Sequence, residues 1–305
     1  QSLGPFLNPA EQGLRDNACV VYRVCNGKKD AYPVSMADVF GAEVCAIDWP
    51  KQIDKMCEEE GDEFEGLDDA KVDDAYYMIG RAIASFENSP EVNQFSSKFD
   101  AYWAGADVFT AQEELGLEVF MSEEKGKCAL CHILEEGDAQ PLFTDFTFDN
   151  LGIPINTMNP NAFADPGLGG FLSSPGISAA WAALADENMG KHKVPTLRNL
   201  DQRTNWKFVR DYGHNGYFKS IEGIVHFYNT RDCAKAGVEC PQLPYSMSMC
   251  PVGSSEAYAL ENHCWPEPEV AANVNDAELG NLGLTLAEEA ALVAFLRTLN
   301  DGYRR

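Results

Sequence analysis

The chain is short of positive charge. Against 48 Asp and Glu it carries only 23 Lys and Arg, a formal charge of −25 at pH 7. Nucleic-acid phosphates need Lys and Arg partners, so this balance speaks against a nucleic-acid binder. It favours solubility, adaptation to salt, or attraction of a basic partner. Long hydrophobic runs are also missing. The longest, such as residues 290–296, fall far below the ~20 apolar residues a membrane-spanning helix needs. No basic stretch followed by an apolar one marks a signal peptide, so the sequence reads as a mature or trimmed form. Segments of strand-like alternation, internal repeats and low-complexity tracts are absent too. What remains is a mostly α fold.

At 305 residues the chain is long enough for about two domains. A hydrophobic content of 45% and 11% aromatics mark it as globular. Ten cysteines argue against a reducing compartment. Eight of them (Cys19, Cys25, Cys45, Cys57, Cys233, Cys240, Cys250 and Cys264) fall into one cluster before residue 60 and one after residue 230. Up to four disulfides are expected, with a connectivity that spacing alone leaves open. The expected location is the periplasm or another exported compartment.

Residues 1–66 read as loop-rich, with an acidic run at 58–65. Val72, Tyr76, Ile79, Ile83 and Phe86 recur every three or four residues, one apolar face of a helix that the stretch from Asn88 ends. Thr110 and Glu113 form a capping-box pattern, with Phe109 placed to staple the entry. Thr285 and Glu288 repeat the pattern ahead of Leu292, Val293, Phe295, Leu296 and Leu299. A short helix is expected over 220–228. Residues 133–190, rich in Gly, Pro, Asn and Asp, read as long ordered loops wrapped around something. Loops of such length in a compact domain are usually functional.

The helix from Thr110 delivers the chain to Cys128-Ala-Leu-Cys131-His132. This is the C-x-x-C-H signature of c-type haem attachment. Two thiols one turn apart can each add across a haem vinyl group, and the imidazole that follows is held beneath the iron as its proximal ligand. A redox dithiol would sit near a βαβ pattern, and a zinc site would need a second Cys or His pair. Neither is present. For the far side of the iron the residues leave Tyr228, His214, His226, His192, Met158 and Met189 all open. The acidic surface then suits a small basic electron-carrier protein.

Several stretches lie in the right order to resemble the bacterial di-haem cytochrome c peroxidase and MauG family. They are Leu3-Gly-Pro-Phe-Leu-Asn-Pro-Ala-Glu11, Ile83-Ala-Ser-Phe-Glu87, Phe99-Asp-Ala-Tyr102 and residues 128–132. Asp149-Asn-Leu-Gly-Ile-Pro154, Val194-Pro-Thr-Leu-Arg-Asn199, His214-Asn-Gly216, Ile224-Val-His-Phe-Tyr-Asn229 and the closing helix within 282–299 complete the set. The resemblance implies a mainly α fold with two cytochrome c-like domains. Residues 1–108 match the remainder of an N-terminal, peroxidatic-type domain, and 109–305 a complete c-type haem electron-transfer domain. The chain has one C-x-x-C-H motif and starts just after the place of the family's first. The first haem therefore sits on a separate or upstream segment, or this protein has dispensed with it.

In that register Tyr228 takes the place of the second haem's sixth ligand, a methionine in the peroxidases and a tyrosine in MauG-type proteins. Gln1, Pro5 and Glu11 fall where the family lines its peroxidatic pocket, with Glu11 as the acid/base carboxylate. Arg198 is a candidate partner for a haem propionate, and His214 a propionate or structural contact. Trp181 and Trp206 are candidate haem-packing or electron-path aromatics, with core packing the better expectation for each. A family calcium site between the domains would use the carbonyls of Val209 and Asp211, although the family's threonine and proline are not retained there. The resemblance implies an oxidoreductase in which the haem on His132 relays electrons to or from a peroxide-reactive centre. A non-enzymatic one-haem electron carrier and a MauG-like oxidant of a partner protein are the rival readings.

Overall fold

The computed structural model describes the chain apart from residues 1–3, 8–10, 27–31, 59–63, 65–66, 135–139, 161, 176, 203–210, 244–246 and 305. It divides into two compact units, 1–94 and 95–305. Helix dominates, and the described strands are two residues long. Among the described residues no helix is long and apolar enough to cross a membrane.

The first unit holds α1 (Gly4–Leu7), α2 (Asn17–Asn26), α3 (Pro33–Phe40), α4 (Ile53–Glu58) and α5 (Asp69–Glu87). Residues 1–66 are thus more helical than their composition suggests. The helices there are short, and α2 buries Ala18, Cys19, Val20, Val21 and Cys25, a nearly continuous apolar run with no clean one-face period to read. Two disulfides, Cys19–Cys57 and Cys25–Cys45, tie α2 to the segments that follow it. The long α5 starts where the Asp68 carboxylate accepts from the Lys71 amide. It buries Val72, Ala75 and Ile79 against α2, while Phe86, expected on the same face, is exposed.

The second unit holds α6 (Lys98–Trp103), α7 (Ala111–Met121), α8 (Gly167–Leu172), α9 (Ala179–Ala182), α10 (Ile221–Thr230), α11 (Glu256–Asn262) and α12 (Leu286–Arg297). Both capping boxes form as their sequence patterns predict, Thr110 with Glu113 and Thr285 with Glu288. They start the two helices that pack most extensively, α7 and α12. Gly116 makes that approach possible, because a Cβ there would collide with the Ala291 carbonyl. Around this pair lies an aromatic core of Phe99, Phe109, Phe120, Phe143 and Phe295, joined by edge and stacked contacts such as Tyr102 on Phe109 at 3.9 Å. A second core gathers Phe218, Phe227 and Trp265 between α10 and α11. Disulfides Cys233–Cys240 and Cys250–Cys264 close the loops beside it.

Strands β1 (Phe148–Asp149) and β2 (His192–Lys193) pair antiparallel, with Asp149 opposite His192. Strands β3 (Ser248–Met249) and β4 (Cys264–Trp265) pair in parallel. The units part at 94/95, whereas the sequence placed its junction at 108/109. Helix α6 accounts for the difference: Phe99 is fully buried in the aromatic core, its amide donates to Thr298, and Ser96 bonds Asp301.

Candidate functional site

The chain enters the C-x-x-C-H turn through Lys127, a non-glycine residue at φ +54. Such left-handed positions carry strain that surrounding contacts must hold. Here the Lys127 amide donates to Ser122, and its ammonium to the Ala277 carbonyl at 2.9 Å. A single 3-10 turn covers Cys128–Leu130, and the His132 amide closes on the Cys128 carbonyl at 2.8 Å. Both thiols therefore sit one turn apart. All eight other cysteines are consumed by disulfides, and Cys128 and Cys131 are left as free thiols. Burial pushes each thiol up to about 12, helped at Cys131 by Glu278, Asp149 and Asp145.

His132 is held by its inner nitrogen. Nδ1 lies 2.8 Å from the Phe143 carbonyl, which can only accept, so Nδ1 carries the proton and Nε2 keeps a lone pair for a metal. Phe143 is itself at φ +55. Burial depresses the basicity of the imidazole, which keeps it neutral, the form that ligates.

Tyr228 lies on α10, where a short helix is expected over 220–228. Ser220 caps that helix, its side chain accepting from the Gly223 amide, and Tyr228 packs against both cores of the second unit. Burial, followed by the neighbouring Cys128 and Cys131, raises its phenol above the ordinary value, so the tyrosine and the two thiols share one environment. Its backbone is pinned, with its carbonyl accepting the Gly280 amide at 2.6 Å. Just beyond it, buried Arg231 bonds Asp232 through Nε and Nη2 and donates to the carbonyls of Leu151, Asn275 and Leu279.

Arg198 meets Asp100 with Nη1 2.9 Å from each carboxylate oxygen and donates Nε to the Pro141 carbonyl. Phe95, Phe99 and Phe143 surround the guanidinium at 5.0 to 5.5 Å. Its Nη2 is buried without a partner. An anionic group such as a propionate would satisfy that donor.

Other expected residues fall elsewhere. His214 contacts Glu269 and stacks on His192. His226 is buried on Glu289 at 3.0 Å. Met158 is 72% exposed. Trp181, expected in the core, is 62% exposed, because α9 is a four-residue helix with no buried residue. The Asp211 carboxylate pairs with Lys219, while Val209 and Trp206 lie outside the described residues. So do Gln1 and the side chain of Pro5; Glu11 is exposed. Sequence reading missed Phe143, which orients His132, and the group formed by Cys131, Asp149 and Glu278, whose ligand atoms lie within 4.8 Å of one another. Asn275 bridges those two carboxylates at 2.5 and 2.6 Å. No local pattern marks such contacts.

The paired free thiols, the oriented imidazole and the orphaned guanidinium fit a covalently held haem. The fold is that of the di-haem peroxidases: the diheme peroxidase BthA from Burkholderia thailandensis E264 aligns with a TM-score of 0.59 at 24% identity, over 98% of this chain and 62% of that one. No protein-family model matches. Methylamine utilization protein MauG of Paracoccus denitrificans (strain Pd 1222) is 31% identical over 307 residues, 97% of this chain and 63% of that protein. Cytochrome-c peroxidase IdrP2 of Denitromonas iodatirespirans is 27% identical over 168 residues, 50% of this chain and 40% of that protein. The chain belongs to the di-haem cytochrome c peroxidase/MauG family. It spans less than two thirds of the length of these relatives.

Proposed function

We propose that this chain is the electron-transfer part of a peroxide-dependent oxidoreductase, carrying one c-type haem on Cys128 and Cys131 with His132 and Tyr228 as axial ligands. The observation that carries this reading is the pairing of ten cysteines into four disulfides and one leftover C-x-x-C-H pair, beside a histidine whose Nδ1 is held by the Phe143 carbonyl. When bound, the haem supplies one-electron chemistry at its iron. The chain's own residues set the terms of that chemistry. Cys128 and Cys131 would hold the haem covalently, the Phe143 carbonyl keeps His132 in its ligating tautomer, and Arg198 would offer Nη2 to a propionate. Burial holds the proton on the Tyr228 phenol; as a ligand it would lose that proton to the metal, and a phenolate there would stabilise ferric iron and lower the potential.

Catalysis of peroxide cleavage belongs, in this reading, to a second haem-bearing segment on a separate or upstream piece. Glu11 would move the proton there, with Gln1 the second residue assigned to that chemistry. Export to a periplasm follows from the four disulfides, since such bonds persist in oxidising compartments. The charge of −25 suits a small basic electron carrier as partner. Tyr228 and the 31% identity to MauG favour a second reading, in which the chain serves to oxidise a partner protein.

Haem stoichiometry by pyridine haemochrome, measured with peroxide-dependent oxidation of a reduced carrier, tests the first reading. Two haems per functional particle and peroxide turnover are expected. One haem with no peroxide reactivity would reduce the protein to a simple electron carrier. Low-temperature EPR of Tyr228→Phe tests the ligand: the low-spin signal should change, and an unchanged spectrum removes tyrosine from the iron.

A further inference from the structure

Two left-handed phenylalanines frame the segment that supports the proximal histidine. Phe143 stands at φ +55 and Phe146 at φ +62, a region that is costly for a bulky residue unless its surroundings hold it there. Ordinary turns place Gly or Asn at such positions. The two rings differ in what they do. Phe146 is 59% exposed, with the Lys193 ammonium 4.7 Å from its centroid. Phe143 is fully buried.

The Phe143 ring is held by three neighbours. Phe99 meets it edge-on at 5.0 Å and Phe120 at 5.9 Å, and the Arg198 guanidinium lies 5.4 Å from its centroid. Its backbone faces the C-x-x-C-H turn. The Phe143 carbonyl lies 2.8 Å from His132 Nδ1, and two residues on, the Asp145 amide donates to the Cys131 carbonyl at 2.9 Å. Between them the Thr144 hydroxyl donates to the Val194 carbonyl at 2.6 Å and accepts the Phe146 amide at 3.1 Å. Segment 143–146 thus grips the turn at two points and is itself anchored by one buried ring. Phe143 also joins two separate haem contacts: its ring lies beside Arg198, and its carbonyl meets His132.

A carbonyl on Nδ1 does more than choose a tautomer. It draws on the N–H proton and leaves more electron density at Nε2, so the imidazole becomes a stronger donor to a metal. A stronger axial donor favours ferric iron and lowers the potential. Hydrogen bonds weaken steeply as distance and angle depart from the optimum. Whatever fixes the carbonyl therefore fixes the donor strength of the ring.

We propose that Phe143 is a positioning residue for His132, whose ring, held by Phe99, Phe120 and Arg198, locks a strained backbone and so sets the donor strength of the proximal imidazole. This role rests on the haem reading above and adds to it the residue that tunes the potential. Arg198 acquires a second part in it, steadying the Phe143 ring as well as facing a propionate.

The test is a spectroelectrochemical titration of the haem-loaded protein, with low-temperature EPR of its ferric form. In Phe143→Gly the backbone loses its strain and its anchor together, so the midpoint potential should rise and the low-spin g-values should move. Phe143→Leu keeps most of the buried volume and should shift both in the same direction by less; it decides the matter if Phe143→Gly fails to fold. Phe120→Leu alters a neighbouring ring of the same core and should lower stability in urea while leaving potential and g-values at the parent's. A parent chain that carries no haem overturns the haem reading and this proposal with it. A haem-loaded parent whose potential and g-values are unchanged in the Phe143 variants overturns this proposal alone, and leaves the Pro195 carbonyl, which also faces the imidazole, as its support. An equal shift in Phe120→Leu overturns it too, by reducing the effect to lost core packing.

Discussion

The guanidinium of Arg198 joins α6 to the 194–199 segment across 98 residues of chain, through Nη1 and both oxygens of Asp100. The two side chains are 8% and 15% exposed, so each charge depends on the other. Removing one partner of a buried pair costs ~3–5 kcal/mol, because the remaining charge is left without compensation. Arg198→Met should therefore lower unfolding stability by about 3 kcal/mol in urea titration. Adding Asp100→Asn should restore much of the loss, since the stranded charge is then gone and the Ser97 capping box keeps an acceptor. A double mutant no more stable than Arg198→Met would show that the three surrounding phenylalanines, rather than the ion pair, dominate at this position.

At the scale of elements, α7 and α12 carry the core of the second unit, and both begin with capping boxes. Burial alone would raise the carboxyls of Glu113 and Glu288, but hydrogen bonds outweigh it. Lys98 and Thr110 bond Glu113, Lys125 and Thr285 bond Glu288, and both acids are held below their ordinary value. A carboxylate depressed in the folded state adds stability above its unfolded pKa and loses it as pH falls through the folded one. Stability of this unit should accordingly drop as pH falls below about 4.5, the ordinary value. The Glu113→Gln, Glu288→Gln double variant should show a shallower acid limb in thermal melts. The helix interface itself is limited by Gly116, whose added Cβ would meet Ala291 and Phe295. Gly116→Ala gains helix propensity but should still lower stability by ~1–3 kcal/mol, the usual cost of overpacking, as an earlier calorimetric midpoint would show.

For the whole molecule, the cysteines divide the labour: two disulfides staple each unit and one pair is kept for attachment. In the first unit Cys19–Cys57 spans 38 residues, and closing a loop of that size restricts the unfolded chain by about 3–4 kcal/mol. Short helices such as α3 and α4 cannot bury enough surface to replace this. Cys19→Ala with Cys57→Ala should open the first unit in hydrogen exchange well before the second. Equal protection of both units in that variant would show that packing of α2 on α5 suffices without the staple.

Local chemistry was legible from the sequence by itself. The C-x-x-C-H turn, the Thr110 and Thr285 caps and the apolar rows of α5 and α12 all act within a turn or two of helix, where spacing along the chain is spacing in space. Only the tertiary structure decided which cysteines pair, that Arg198 meets Asp100, that Trp181 faces solvent, and that His192 and His214 stack between two carboxylates. The helices of residues 1–66 escaped for the same reason: short and stapled, they owe their form to disulfides and to α5 rather than to a period of their own. Each of these contacts joins segments far apart in the chain, and loop closure and packing choose among partners that residue type alone leaves equivalent.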